Sequence, residues 1–144
     1  IVPNESAYRS LTRSWFQHSS FLEILKEAGR NGKTVVIASD HGSIRVKKGL
    51  TVFADKTAST NLRYKHGRGI RTETEKQVFT ISDPAEYGLP KETLSTNFII
   101  AEEDVYFVYP NNYHHYINLY KDSLQHGGIS MEEMILPVAV LEYT

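Results

Sequence analysis

A chain of 144 residues can bury one core and calls for no second domain. Its 40% apolar content, with 16 basic against 17 acidic residues, is ordinary for a soluble globular domain and excludes a low-complexity or disordered polypeptide. With no cysteine, disulfides and thiolate zinc sites are excluded, and no stretch approaches the roughly 18 consecutive apolar residues of a membrane span.

Glu5 to about His18 and then Phe21 to Ala28 carry helical apolar spacing, with Ser20 and Glu23 placed as a capping box and Gly29 as the stop. Trp15, Phe16, Phe21, Leu22 and Leu25 are expected to pack on a sheet, and His18 reads as a loop or core histidine. After the turn signal Asn31-Gly32, the run from Lys33 to Ala38 is rich in β-branched residues and reads as a buried strand. It leads into Ser39-Asp40-His41-Gly42. In an open α/β sheet, ligands bind where strands run out into loops. A carboxylate and an imidazole there can bind a borderline or hard divalent cation, with Gly42 allowing a close backbone turn. The tetrapeptide alone is equally compatible with a hydrogen-bonded Asp and His at a strand-to-loop junction.

Residues 43–82 form a β-rich stretch, with alternation through Ile44–Val46 and Leu50–Phe53 and a hairpin turn at Lys47–Gly49. Further strands are expected at Gln77–Ile81, Phe98–Ala101 and Val105–Tyr109, with loops at Asp83-Pro84 and from Gly88 to Pro90. Residues 43–76 hold nine of the sixteen basic residues (Arg45, Lys47, Lys48, Lys56, Arg63, Lys65, Arg68, Arg71, Lys76) and only three acids. Arg63, Lys65 and Arg68, with His66 and the flexible Gly67 and Gly69, form a candidate grip for substrate phosphates. A solvated hairpin face is the alternative. Tyr109 to Tyr116 combines stacking and hydrogen-bonding side chains and reads as one wall of a cleft. In extended chain, the adjacent His114 and His115 would point to opposite sides.

His126 precedes two glycines, and Ser130 to Glu133 has capping-box spacing opening a short helix. A closing strand is expected over Ile135–Leu141. Ala38-Ser-Asp-His-Gly42 together with Gln125-His-Gly-Gly-Ile-Ser-Met-Glu-Glu-Met-Ile-Leu-Pro137 resembles the carboxyl-terminal half of a PglZ domain, a branch of the alkaline phosphatase superfamily. Ala7–Thr12, Ser14–Phe16 and Thr60–Lys65 resemble the PglZ effector domain of PorX-type response regulators. The similarity runs through nearly the whole chain.

The resemblance implies an α/β fold: the carboxyl-terminal portion of an alkaline-phosphatase-like sheet with flanking helices and a β-rich basic insertion at 43–82. It also implies two metal ions, usually zinc. Asp40 and His41 would hold the ion that activates the nucleophile, and His126 would hold its neighbour. The family's Thr or Ser nucleophile, the Asp beside it and an Asp-x-x-x-His pair are expected upstream, and none is recognisable here. Asp122, four residues before His126, reads as a solvated carboxylate. The chain opens at Ile1 without a signal-peptide pattern and reads as a fragment, expected to be inactive alone because the nucleophile is missing; the family and the missing signal together imply the cytoplasm.

Three functions are carried forward. The first is part of a metal-dependent phosphodiesterase or phosphatase, the effector of a two-component response regulator acting on nucleotide or oligonucleotide diesters. The second is a signalling module that contacts a histidine kinase or a transcription factor, with a structural or vestigial metal site and a possible dimer. The third is a plain nucleic-acid-binding face.

Overall fold

The computed structural model describes residues 4–55 and 57–142. Lys56, one of the nine basic residues above, lies outside them. In chain order the elements are α1 (Glu5–His18), α2 (Ser20–Arg30), β1 (Val35–Ala38), β2 (Ile44–Arg45), β3 (Lys48–Phe53), β4 (Tyr64–Arg68), β5 (Arg71–Thr72) and β6 (Val78–Ile81). A 3-10 turn (Pro84–Tyr87) leads to β7 (Thr96–Ala101), β8 (Val105–Val108), α3 (Tyr113–Tyr120), β9 (Leu124–Gln125), α4 (Met131–Met134) and β10 (Val138–Leu141). The chain is a mixed α/β protein. Among the described residues no helix is long and apolar enough to cross a membrane.

The chain divides into two units, one of residues 1–39 with 137–144 and one of residues 40–136. In the first, Asn4 caps α1 by accepting the N–H of Ala7 at 2.9 Å. The second helix starts one residue earlier than its sequence signal, after Ser19, and Gly29 lies inside it. Asn31 ends it, because its side chain donates to the Glu27 carbonyl at 2.8 Å and Gly32 then takes a positive φ. Strands β1 and β10 pair antiparallel, with Val36 opposite Val140. The expectation of a buried strand at 33–38 is corrected, since β1 alternates between half-buried and exposed positions. Trp15 and Phe16, expected against a sheet, stay exposed on α1. They form an aromatic cluster with Phe21 (centroids 5.1 to 6.1 Å apart) and leave Trp15 57% exposed. Leu25 does reach the strands, sharing a groove with Val35 and Leu141.

The second unit holds the core. Strand β8 (Val-Tyr-Phe-Val) is buried along its whole length and runs parallel to β3, whose Leu50 and Val52 turn inward. The antiparallel sheet β4-β7-β6 adds Ile99, Ala101 and Val78 to the same apolar cluster, with Ile70 and Ala58. A second cluster of Val46, Tyr106 and Val108 is covered by Tyr116, Ile117 and Tyr120 of α3.

Two expectations for this region are corrected. Pairing among the described residues falls into four small sheets rather than one open sheet. The Lys47–Gly49 segment is no hairpin turn: β2 pairs with β9, while β3 starts at Lys48 and pairs with β8 and β5. Gly49 sits within the strand because the Ile117 side chain occupies the space a Cβ would need.

Candidate metal-binding loops

The antiparallel pair β2·β9 brings the two histidine motifs together. Gln125 lies opposite Ile44, so the chain just before β2 and the chain just after β9 meet at one end of that pair. There the His41 and His126 imidazoles stack, with centroids 3.6 Å apart and planes 11° from parallel. Asp40 Oδ1 accepts the main-chain N–H of His41 at 3.0 Å and stands 3.7 Å from its Nε2. All three side chains are open to solvent. The meeting point is thus made by a two-stranded ladder within the second unit, not by the carboxyl edge of a larger sheet.

His41 has the features of a metal-ligating histidine. Its Nδ1 lies 2.8 Å from the Gly42 carbonyl and donates to it, which turns Nε2 away from that contact and toward the Asp40 side. Two donors held at about 2.0–2.2 Å by one tetrahedral zinc stand about 3.4 Å apart, close to the observed Nε2 to Oδ1 separation. Asp40 and His41 therefore fit two positions of one ion. Among the described residues no three His, Asp or Glu side chains are grouped closely enough to hold an ion, so the donor set in this chain is partial.

Below the loops lies a buried ion pair. Arg63 donates Nε to Glu133 Oε1 at 2.9 Å and Nη2 to Oε2 at 2.8 Å, and the two side chains are 0% and 2% exposed. Arg63 also donates to the carbonyls of Val105 and Ala101. The same carboxylate accepts the N–H of Gly128 at 2.9 Å and of Ser130 at 3.2 Å, completing the capping box of α4. Burial pushes the Glu133 carboxyl up, but the hydrogen bonds from Arg63, Gly128 and Ser130 outweigh it and hold it below its ordinary value. The Glu133 carbonyl accepts the N–H of Gly42 at 3.0 Å. One residue thus fastens the loop of His41 through its main chain and the loop of His126 through its side chain.

The glycines of both motifs are explained by this contact. A Cβ on Gly42 would meet the Glu132 carbonyl, and one on Gly128 would lie 2.6 Å from Glu133 Oε2 and 2.7 Å from Arg63 Nη2. Gly127, at φ +106°, lies against Asn61 and Tyr64.

The exposed basic grip expected at Arg63, Lys65 and Arg68 is corrected in two of its three members. Arg63 is the buried partner of Glu133. Lys65, 1% exposed, donates Nζ to the Ser59 carbonyl at 2.9 Å and lies 4.9 Å from the centre of the Tyr109 ring. Alternation along β4 sends Lys65 into the unit and leaves Tyr64, His66 and Arg68 on the other face, with only Arg68 well exposed. Burial pulls the Lys65 ammonium down to about 8. Elsewhere in the basic stretch, Arg45 pairs with Asp122 at 3.6 Å and Lys47 with Asp104 at 3.6 Å. His114 and His115 lie on α3 rather than in extended chain, both exposed and against Tyr113 and Tyr116. The sequence reading missed Glu133 as more than a helix cap. Its signal was an acid following a glycine pair, and the partner Arg63 lies 70 positions away.

Residues 3–141 match the family model described as the BREX system PglZ alkaline phosphatase-like domain. No curated protein matches the chain.

Proposed function

The chain belongs to the PglZ alkaline phosphatase-like family, and from that premise we propose that it forms part of a metal-dependent phosphoric ester hydrolase in which Asp40, His41 and His126 are metal ligands. The observation that carries this reading is the stacking of His41 on His126 beside Asp40. Asp40 and His41 would hold one zinc ion and His126 a second. Bound there, such a pair polarises phosphoryl oxygens and lowers the pKa of a nucleophile. The Gly42 carbonyl accepts from His41 Nδ1, so Nε2 would be the ligating nitrogen. The donor set here is short of what two ions need, so the remaining ligands and the nucleophile are assigned to polypeptide beyond these residues, and these residues alone are expected to be inactive.

The substrate class we assign is a nucleotide or oligonucleotide diester. Tyr64 packs against Gly127, next to His126, and its ring runs near-parallel to His66, which stacks on Phe98 at 5.0 Å; Arg68 follows on the same strand face. Aromatic rings beside a cation suit a base and its phosphate. The resemblance of 7–12, 14–16 and 60–65 to PorX-type effectors supports a role as the effector of a cytoplasmic response regulator, which we propose as the setting of that activity. The test is hydrolysis of a dinucleotide by the full-length protein with zinc supplied. Loss of turnover in both His41→Ala and His126→Ala supports the reading, and turnover unchanged in either overturns it.

A second reading, a module that docks a histidine kinase or a transcription factor, draws on the apolar side chains that α1 displays. Tyr8, Leu11 and Trp15 are 51%, 59% and 57% exposed.

A further inference from the structure

Resting on the metal assignment above, we infer that Arg63 and Glu133 are positioning residues of the metal centre, a buried clamp that sets His41 against His126 and so sets zinc affinity. Neither side chain faces solvent, and neither is among the proposed ligands. Their link to the ligands is short. The Glu133 carboxylate holds Gly128, two residues after His126, and its carbonyl holds Gly42, the residue after His41. Arg63 holds that carboxylate by a two-pronged contact and is itself tied to the carbonyls at the end of β7 and the start of β8. The clamp therefore references both ligand loops to the best-packed strands of the unit. A Cβ at Gly42 would meet the Glu132 carbonyl and one at Gly128 would meet the Glu133 and Arg63 side chains, so both loops lie close against the clamp.

A salt bridge with only a structural role would affect stability alone, and the two possibilities separate experimentally. An ion pair of this kind can be replaced by apolar residues of similar volume with little or no loss of stability. The double variant Arg63→Met/Glu133→Leu removes the acceptor that Gly128 and Ser130 use, while keeping the interior filled. Groups that orient metal ligands typically contribute about 10–100-fold in affinity.

The experiment is a zinc titration of the full-length protein, with circular dichroism and thermal unfolding on the same samples. The inference expects zinc to bind the folded double variant 10–100-fold more weakly. Unchanged affinity in the folded double variant overturns it. Should the double variant not fold, Arg63→Lys keeps the charge but loses the fork, and weaker zinc binding with an unchanged dichroism spectrum is then the supporting result; unchanged affinity is again fatal. His41→Ala is the control that separates this inference from the reading it rests on. If zinc affinity survives His41→Ala, the metal assignment fails and the clamp with it. If His41→Ala abolishes zinc binding while the clamp variants bind as the parent does, the clamp alone is refuted.

Discussion

Arg63 meets Glu133 in a two-pronged contact of 2.9 and 2.8 Å with both side chains out of solvent, and that geometry makes the pair asymmetric to mutation. Removing one partner strands a buried charge, which typically costs about 3–5 kcal/mol. Glu133→Ala and Arg63→Met should each lower the unfolding free energy from urea titration by that order, and the double variant Arg63→Met/Glu133→Leu should recover much of the loss. A double variant that sums the two single losses would show that the carboxylate's bonds to Gly128 and Ser130 outweigh the pair.

The same carboxylate predicts an acid limit. Its folded-state pKa lies below the unfolded value, about 4.3 for an ordinary Glu, so the folded protein binds fewer protons in the window between them. Its stabilisation is therefore present above that window and is lost as pH falls through it. Urea unfolding at pH 7, 5 and 3 should show the parent losing stability in acid more steeply than Glu133→Gln. Parallel slopes would mean that Glu133 carries no pH-dependent stability.

Local pattern made part of this legible in sequence. The helices at 5–18 and 20–30, the β-rich stretch from 43 to 82 and the capping box at Ser130 follow from periodicity and short-range chemistry, and they were readable within a few residues. Pairing was not readable. Nothing local tells that β2 finds β9 or that β3 runs parallel to β8, because those choices are made by which apolar faces pack. For the same reason Arg63 and Lys65 misled. Charge counts along a strand cannot reveal that position 65 alternates inward, or that a glutamate 70 residues downstream of Arg63 balances its guanidinium in the interior. The histidine pair was readable as two motifs, whereas the ladder that joins them was not.

Lys65 yields a test at the alkaline end. Its ammonium is pulled from 10.5 down to about 8 by burial. Between those values the unfolded chain binds a proton that the folded one does not, so unfolding free energy should rise with pH from about 8 to about 10.5. Lys65→Met should lack that rise and should be at least as stable as the parent at pH 7, since the charged ammonium no longer has to be desolvated. A rise of equal size in Lys65→Met would assign the effect to another group.

Gly42 and Gly128 should differ from each other. The methyl of Gly42→Ala runs into the main-chain carbonyl of Glu132, which cannot swing aside, whereas that of Gly128→Ala meets the ends of the Glu133 and Arg63 side chains. Overpacking of this kind costs about 1–3 kcal/mol, and Gly42→Ala should lie at the upper end. Denaturant unfolding of the two variants checks the order; a Gly128→Ala variant less stable than Gly42→Ala would show that the ion pair is stiffer than the backbone beside it.

Tyr64 and Arg68 separate a nucleotide substrate from a small diester. Both lie on the outer face of β4, Tyr64 against Gly127 and Arg68 exposed at the strand's end, and neither is part of the buried clamp. Base stacking on an aromatic side chain is worth about 1–3 kcal/mol, so Tyr64→Ala should raise KM for a dinucleotide by about 5–150-fold. Arg68→Ala should flatten the salt dependence of oligonucleotide binding through the loss of one phosphate contact. Neither variant should change hydrolysis of a small chromogenic diester, which has no base to stack and only one phosphate. Equal losses on both substrates would place Tyr64 and Arg68 in the support of the His126 loop instead, and the nucleotide assignment would then lose its structural argument.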